Sequence, residues 1–275
     1  MNSHIISFSI VRYNQTMEEL SEVIESILLY PGEKRIFLID NSASPFPDAV
    51  ISDLEACVEY RFLGMNVGFG KAHNMAIKSA IDKGCRYHFV VNPDIFYDKD
   101  VVEEMIAYMD KNPEVGQMMP KILYPNGHKQ YLPKLAPTPW FLFWRKMKYP
   151  SCAHNHVMQK FEMRGMKDDR PYDVVCLSGC FSVIRLEAIE KVGGYDSRYF
   201  MYFEDTDLAR RIHSQYRTVY YPMVSVYHKY AHGAQKNYKL FVIFVCSCLK
   251  YFMKWGFFFD KERKLYNTAA LCQLK

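Results

Sequence analysis

Apolar positions recur along this chain with two different periods. Short, continuous apolar runs at His4–Val11 (HIISFSIV), Arg35–Asp40 (RIFLID) and Tyr87–Val91 (YHFVV) read as buried strands, with further strands at Cys57–Leu63 and Val115–Ile122. Between them, apolar residues three and four apart predict helices. Leu20, Val23, Ile24, Ile27 and Leu28 mark one over Thr16–Tyr30, and others follow over Gly68–Lys83 and Asp100–Lys111. Strands that alternate with helices predict an α/β architecture, a mostly parallel sheet with helices on both faces. Ligands of such sheets bind beyond the carboxyl ends of the strands. Asp40 and Asp94 stand at two of those ends.

The pattern loosens after Tyr124, where Pro125, Pro133, Pro137, Pro139 and Pro150 punctuate an irregular stretch. Within it Trp140–Lys148 sets five apolar residues against cations, which suits a core segment with a solvated end and an interfacial loop equally. Order resumes with strands at Val174–Leu177 and Phe181–Arg185, a helix at Leu186–Val192 and a late strand at Arg217–Val226. Lys236–Phe259 reads as a helix whose centre is wholly apolar or small. Its Lys236, Lys239, Lys250 and Lys254 fall in one stripe with Ser247. That pattern predicts an amphipathic helix in a membrane surface, lysines toward anionic headgroups; a helix packed on its own domain with lysines outward is the alternative. The expected layout is a domain over 1–235, divided at 124/125 into a nucleotide-binding half and an acceptor-binding half, followed by a membrane-associated segment over 236–275.

Charge sharpens this division. The net charge is +5, but residues 133–171 hold eight Lys/Arg against three acids and residues 236–275 hold eight against two. An acidic body with two basic, aromatic-rich segments argues against a nucleic-acid binder and suits an enzyme that meets an anionic surface at two places. The 275 residues suffice for one large domain or two small ones. Eight cysteines without a CxxC pair, and an N-terminus without a charged and apolar leader, predict reduced thiols in a cytosolic protein. His154-Asn155-His156 reads as loop polarity, because no further ligand set lies nearby.

The candidate chemistry is carried by a few short segments. Asp40 ends a strand ahead of Asn41-Ser42, where a carboxylate can accept from a base or ribose or start a turn. Asn66-Val67-Gly68-Phe69-Gly70 opens a helix; its glycines permit close backbone approach and its N-terminus favours phosphate, although it is not the dinucleotide GxGxxG pattern. Asn92-Pro93-Asp94 follows an apolar strand. A carboxylate there can ligate Mg²⁺ or Mn²⁺ shared with a diphosphate, with His228 as a further donor. In Glu204-Asp205-Thr206-Asp207, helical spacing sets Glu204, Asp207 and Arg211 on one face and turns Asp205 away, free to act as a general base.

Taken in order, Ile10-Val11-Arg12-Tyr13-Asn14, Ile39-Asp40-Asn41-Ser42, Asn66-Val67-Gly68-Phe69-Gly70, Asn92-Pro93-Asp94 and Glu204-Asp205-Thr206-Asp207-Leu208 resemble the family 2 inverting glycosyltransferases of GT-A (Rossmann-like) fold, and among them the bacterial rhamnosyltransferases of polysaccharide assembly. The resemblance covers residues 5–230. It implies that Val11, Tyr13 and Asp40 line a nucleoside pocket and that Asn66, Gly68 and Asn74 lie near nucleotide and sugar. Asn92 and Asp94 would stand for the metal-binding DxD motif, its first carboxylate replaced by an amide. Asp205 would be the base and Glu204 would touch a sugar. The implied partners are a nucleotide-sugar donor, dTDP-L-rhamnose foremost with UDP-hexoses as alternatives, and a glycan or polyprenyl-linked acceptor at the inner face of the cell membrane. A nucleotidyltransferase and a non-catalytic membrane-peripheral binding subunit are the competing readings.

Overall fold

The computed structural model describes residues 5–147, 150–229 and 238–274. Its first strands are β1 (Ile6–Arg12), β2 (Lys34–Asp40), β3 (Val58–Phe62) and β4 (Tyr87–Val91). They pair in parallel in the order β3-β2-β1-β4, with Arg12 level with Asp40 and Ile10 level with Val91, so three carboxyl ends open along one edge. The sheet then becomes mixed. β8 (Phe181–Arg185) is antiparallel to both β4 and β6 (Val115–Leu123), and β6 runs parallel to β9 (Arg217–His228). The two-residue strands β5 (Ile95–Phe96) and β7 (Tyr172–Asp173) both pair antiparallel with β9. Of the expected Val174–Leu177 strand, only an isolated bridge between Lys134 and Cys176 is present.

Alternation along the strands fills both faces. Phe8, Phe89 and Phe181 pack against helices α1 (Met17–Leu28) and α4 (Val102–Lys111) through residues such as Leu20, Ile24 and Met105. Phe37, Ile39, Val90 and Ile184 meet α3 (Phe69–Asp82), α7 (Leu186–Val192) and α8 (Glu204–His213). The short α2 (Asp48–Ser52) lies before β3. Thr16 and Glu19 form a reciprocal capping box at the start of α1, which satisfies two otherwise orphaned amides. α3 is held to the sheet by a buried polar seam: Ser9 Oγ lies 2.7 Å from His73 Nδ1 and 2.8 Å from His88 Nε2, and Ser7 Oγ lies 2.8 Å from His88 Nδ1. Burial keeps both imidazoles neutral, His88 down to about 3.

The proline-punctuated stretch contains two helices that hydrophobic periodicity did not reveal. α5 (Pro139–Lys146) starts from a Thr138 side-chain cap with proline at its first position, and α6 is Ser151–Phe161. His154 donates from Nδ1 to the carbonyls of Trp144 (2.9 Å) and Met147 (2.8 Å), closing the end of α5.

The C-terminal segment is two helices, α9 (Tyr238–Trp255) and α10 (Lys261–Cys272). α9 is turned opposite to the expected sense. Ser247 donates to the Met201 carbonyl (2.7 Å) and Lys250 to that of Arg198 (2.7 Å), while Lys254 pairs with Asp207 (2.6 Å) and Asp196 (3.0 Å). The described part of the stripe therefore includes residues that grip the domain, because acidic partners await them there; Lys236 lies outside the described residues. α10 is joined to the body by a paired amide contact between Asn267 and Ala136 and by Gln273 bonded to Asp173.

Candidate active site

The parallel strand ends place the first candidate residues. Asp40 is fully buried. One of its oxygens accepts from Arg12 and from Tyr60 Oη (2.5 Å), and the other accepts from the Ser42 amide (2.9 Å). Burial opposes the charge, but these donors prevail and hold the carboxyl below its usual range. Arg12 also lies over the Phe46 ring at 3.9 Å, so Asp40 and Arg12 form a stiff floor to this end of the cleft. Val11 is half-buried and Tyr13 exposed at the rim. Arg12 and Tyr60, on which this floor depends, were not singled out by the sequence; the only signal was a lone cation within an otherwise uncharged motif.

The Asn66–Gly68 turn is packed rather than open. Asn66 Oδ1 accepts from the Gly68 amide (2.9 Å), and Gly68 has a φ of 90°, with a Cβ there meeting the Phe200 carbonyl. The first free amide of α3, that of Phe69, donates to the Phe200 carbonyl (3.0 Å). Asn74 spends both ends of its amide on the backbone of Tyr195, at 2.8 Å each. It clamps α3 to the Gly194-Tyr195 segment.

Asp94 and His228 are brought together by β5 and β9, with Ile95 opposite His228. Asp94 Oδ1 lies 3.2 Å from His228 Nε2. Gln130 orients the imidazole: its Nε2 donates to the His228 carbonyl (2.8 Å), which leaves Oε1 to accept from His228 Nδ1 (3.0 Å). In that tautomer the Nε2 lone pair faces the Asp94 carboxylate, and the two can serve one cation as ligands. This donor set, one oxygen and one nitrogen, fits a divalent ion whose other ligands come from phosphates and water. Among the described residues no group of three or more His, Cys, Asp or Glu is placed to hold a metal by itself. Gln130 carries no sequence signal, since nothing local ties it to a histidine 98 residues away.

Asp205 sits in the first turn of α8. Its Oδ2 accepts from the Gly179 amide (3.3 Å) and Oδ1 from the Thr206 amide (2.7 Å), and it remains partly open to solvent. A helix N-terminus favours the carboxylate there. Two consecutive non-glycine residues with positive φ, Tyr202 (70°) and Phe203 (66°), lead into that turn. Such strain costs about 1–3 kcal/mol per residue and persists where surrounding packing holds it, here the Phe203 ring against Phe244 and Tyr251. Asp207 and Arg211 pair as their spacing predicts, at 2.9 Å, and Arg211 also donates to the carbonyls of Val192, Gly193 and Gly194. Glu204 is not part of that brace. It is buried near Gly70 with Oε2 lacking a hydrogen-bond partner. Burial first, and the Asp205 charge second, push its carboxyl up to about 8.

Glu204 is thus a neutral acid at neutral pH. Raising the pH through about 8 removes its proton and sets a second anion next to Asp205. Turnover should fall along that alkaline limb, and Glu204→Gln should move the limb upward. A pH–rate profile with the limb unmoved in the Gln variant would assign it to another group. The same shift acts on stability: between the unfolded carboxyl range and pH 8 the unfolded chain releases a proton that the folded chain keeps, so melting temperature should decline across that window and flatten in the variant.

A single short segment links the two chemistries. The Gly179 amide reaches Asp205, while the carbonyl of the next residue, Cys180, accepts from the Asn92 amide at 2.7 Å. Burial pushes the Cys180 thiol up to about 12, and the charges of Asp94 and Asp205 both add to it. Gly179 admits no side chain easily, since a Cβ would lie 3.2 Å from the Phe69 ring. Burial first, and the Arg145 charge second, draw the Lys134 ammonium down to about 8, against the opposing charges of Glu162 and Asp205.

The parallel β3-β2-β1-β4 sheet, its mixed continuation and the helices on both faces define a GT-A type of fold. Solved structures of the same fold include GalNAc-T7 with UDP, GalNAc and Mn²⁺ (TM-score 0.63, 16% identity, 86% of this chain and 45% of that one). Another is S. aureus TarS 1–349 (TM-score 0.58, 13% identity, 97% and 70%). The Glycosyl transferase family 2 model matches residues 7–193, and the chain belongs to that family. It is 28% identical over 193 residues to the N-acetylglucosaminyl-diphospho-decaprenol L-rhamnosyltransferase of Mycobacterium tuberculosis, covering 63% of this chain and 59% of that protein. It is 23% identical over 213 residues to the dTDP-rhamnosyl transferase RfbF of Shigella flexneri, covering 77% and 64%. The matched segment thus spans about three fifths of the length of these relatives.

Proposed function

We propose that this protein is an inverting glycosyltransferase that moves a sugar, L-rhamnose from dTDP-L-rhamnose, onto a hydroxyl of a lipid-linked glycan in cell-surface polysaccharide synthesis. The observation that carries the reading is that the Gly179-Cys180 turn is bonded both to Asp205 and to the strand end that leads to the Asp94–His228 pair. Asp205 takes the proton of the acceptor hydroxyl as that oxygen attacks the anomeric carbon. The nucleoside diphosphate departs on the other side, toward Asp94 and His228, and one displacement inverts the anomeric centre. A bound Mg²⁺ or Mn²⁺, held by Asp94 and His228, supplies charge neutralisation for the leaving diphosphate. Asn92, Val11 and Tyr13 border the nucleotide side, and Lys134 with Arg145 offers positive charge to an acceptor phosphate. The rhamnose assignment draws on the names of the two relatives, and the metal on the Mn²⁺ of structures sharing the fold.

The same reading sets residues 1–235 as the catalytic domain and 236–275 as the segment that keeps it at the inner, cytoplasmic face of the cell membrane. Among the described residues no helix is long and apolar enough to cross a membrane.

A thermal-shift screen tests the donor. Near 100-fold excess over Kd a ligand adds about 2.7 kcal/mol, or roughly 5–10 °C for a chain of this size. dTDP-L-rhamnose should give the largest shift, increased by Mn²⁺, and His228→Ala should abolish the Mn²⁺-dependent part. A larger shift with a UDP-hexose would reassign the donor, and no shift with any sugar nucleotide would remove the transferase reading.

A further inference from the structure

We propose that the outward apolar side of α9, with Phe258 and Phe259 and with Trp140 and Phe143 of α5, inserts into the surface of an anionic lipid bilayer. This rests on the transferase reading above and names the partner that presents its acceptor. α9 is apolar on both sides: Tyr251 and Phe252 are buried against the domain together with Ser247 and the inward Lys254, while Val242, Val245, Leu249 and Met253 point out. The ion pairs of Lys254 with Asp196 and Asp207 fix this orientation, so the apolar exposure is built into the fold. Just beyond α9, Phe258 is 77% and Phe259 99% exposed, and Met253 is 78% exposed.

This surface is continuous with α5. Trp140 and Phe141 line a cavity of about 520 Å³ together with Phe257 and Phe258, and its rim carries His156 and Lys160. Trp140 and Phe143 are themselves 59% and 51% exposed. Aromatic rings beside cations suit the headgroup level of a bilayer. The occupant follows from charge. The exposed cations of the two segments that build the surface include Arg145, Lys160, Lys261 and Lys264, so a second copy would set cation against cation, whereas an anionic leaflet complements them. The face also backs the chemistry: Phe203, immediately before Glu204-Asp205, packs on Tyr251 and Phe244 of α9.

Flotation of the full chain with vesicles tests the proposal. Mixed phosphatidylglycerol and phosphatidylcholine vesicles should carry the protein, and the F258S/F259S double variant should bind about tenfold or more weakly at unchanged melting temperature and unchanged donor-induced shift. L249D/M253D, on the helix itself, should behave likewise. Wild-type binding retained by both variants, or absent in the parent chain, overturns the docking face. So does self-association in size-exclusion chromatography that the same substitutions abolish. Because the donor shift is read without vesicles, its persistence with failed flotation removes the docking face alone, and its absence removes the transferase reading.

Discussion

Asp205→Asn should lower the rate of sugar transfer by about two to four orders of magnitude while leaving donor affinity unchanged. The substitution is nearly isosteric, and the amide oxygen can still accept from the Thr206 amide, the shorter of the two bonds that hold this side chain. What disappears is the capacity to take a proton. Donor affinity depends on the strand ends, where Asp40, Asp94 and His228 stand, and that part of the cleft is untouched. The measurement separates kcat from the donor-induced thermal shift in one protein. A variant with normal turnover would strip Asp205 of the base role, and a variant that lost donor binding as well would show that the two sides of the site are not independent. Asp207→Asn offers a contrast. Its carboxylate pairs with Arg211 and Lys254 and accepts from Trp255, so its loss should act through stability and not through the proton.

Removing the Asp260 carboxylate should be among the costliest single changes to stability. Arg210, on α8, is almost wholly buried and meets Asp260 through two bonds of 2.7 Å, with the Trp255 ring 4.1 Å away. Asp260 also caps α10, accepting from the Arg263 amide at 2.9 Å. Asp260→Ala leaves a buried guanidinium with only weak contacts of 3.4 Å to the exposed Glu262 and to the Tyr251 hydroxyl, and breaking a buried pair from one side costs about 3–5 kcal/mol. That corresponds to a fall in melting temperature of roughly 10 °C for a chain of this length. Asp260→Asn keeps a capping oxygen and should fall between the two. A cost under about 1 kcal/mol in chemical denaturation would mean that water or Glu262 replaces the lost partner. In a double variant that also replaces Arg210 with Met, part of the loss should return, because the charge requiring a partner has gone.

These two residues show what was and was not legible in the chain. The strands up to β4 and the helices α1 and α3 declared themselves through apolar runs and period, and β1, β2 and β4 carry the expected site residues at their ends. The pairing of Asp207 with Arg211 follows from helical spacing alone. The α5 and α6 helices escaped because the prolines that open them also read as breaks, and because the aromatic run of α5 has no polar interval to reveal a period. α10 escaped for a related reason: its buried face is carried by Arg263 and Ala270, not by a row of large apolar residues. Periodicity did identify the lysine stripe of α9, but it reports which residues share a face and not which face turns inward. That was decided by Asp196 and Asp207, distant carboxylates that draw Lys254 in. Asn74 and Glu204 differ for the same kind of reason. Polar side chains at a helix start resemble ligand contacts in sequence, and only the fold shows the Tyr195 backbone waiting for one and an apolar wall around the other.

The Gly179-Cys180 turn has one more consequence. Through adjacent residues, it is bonded at one point to Asp205 and at another to the strand end that leads to Asp94. The proposed base and the proposed metal ligand therefore hang on one short tether, and a substitution that displaces this turn moves both together.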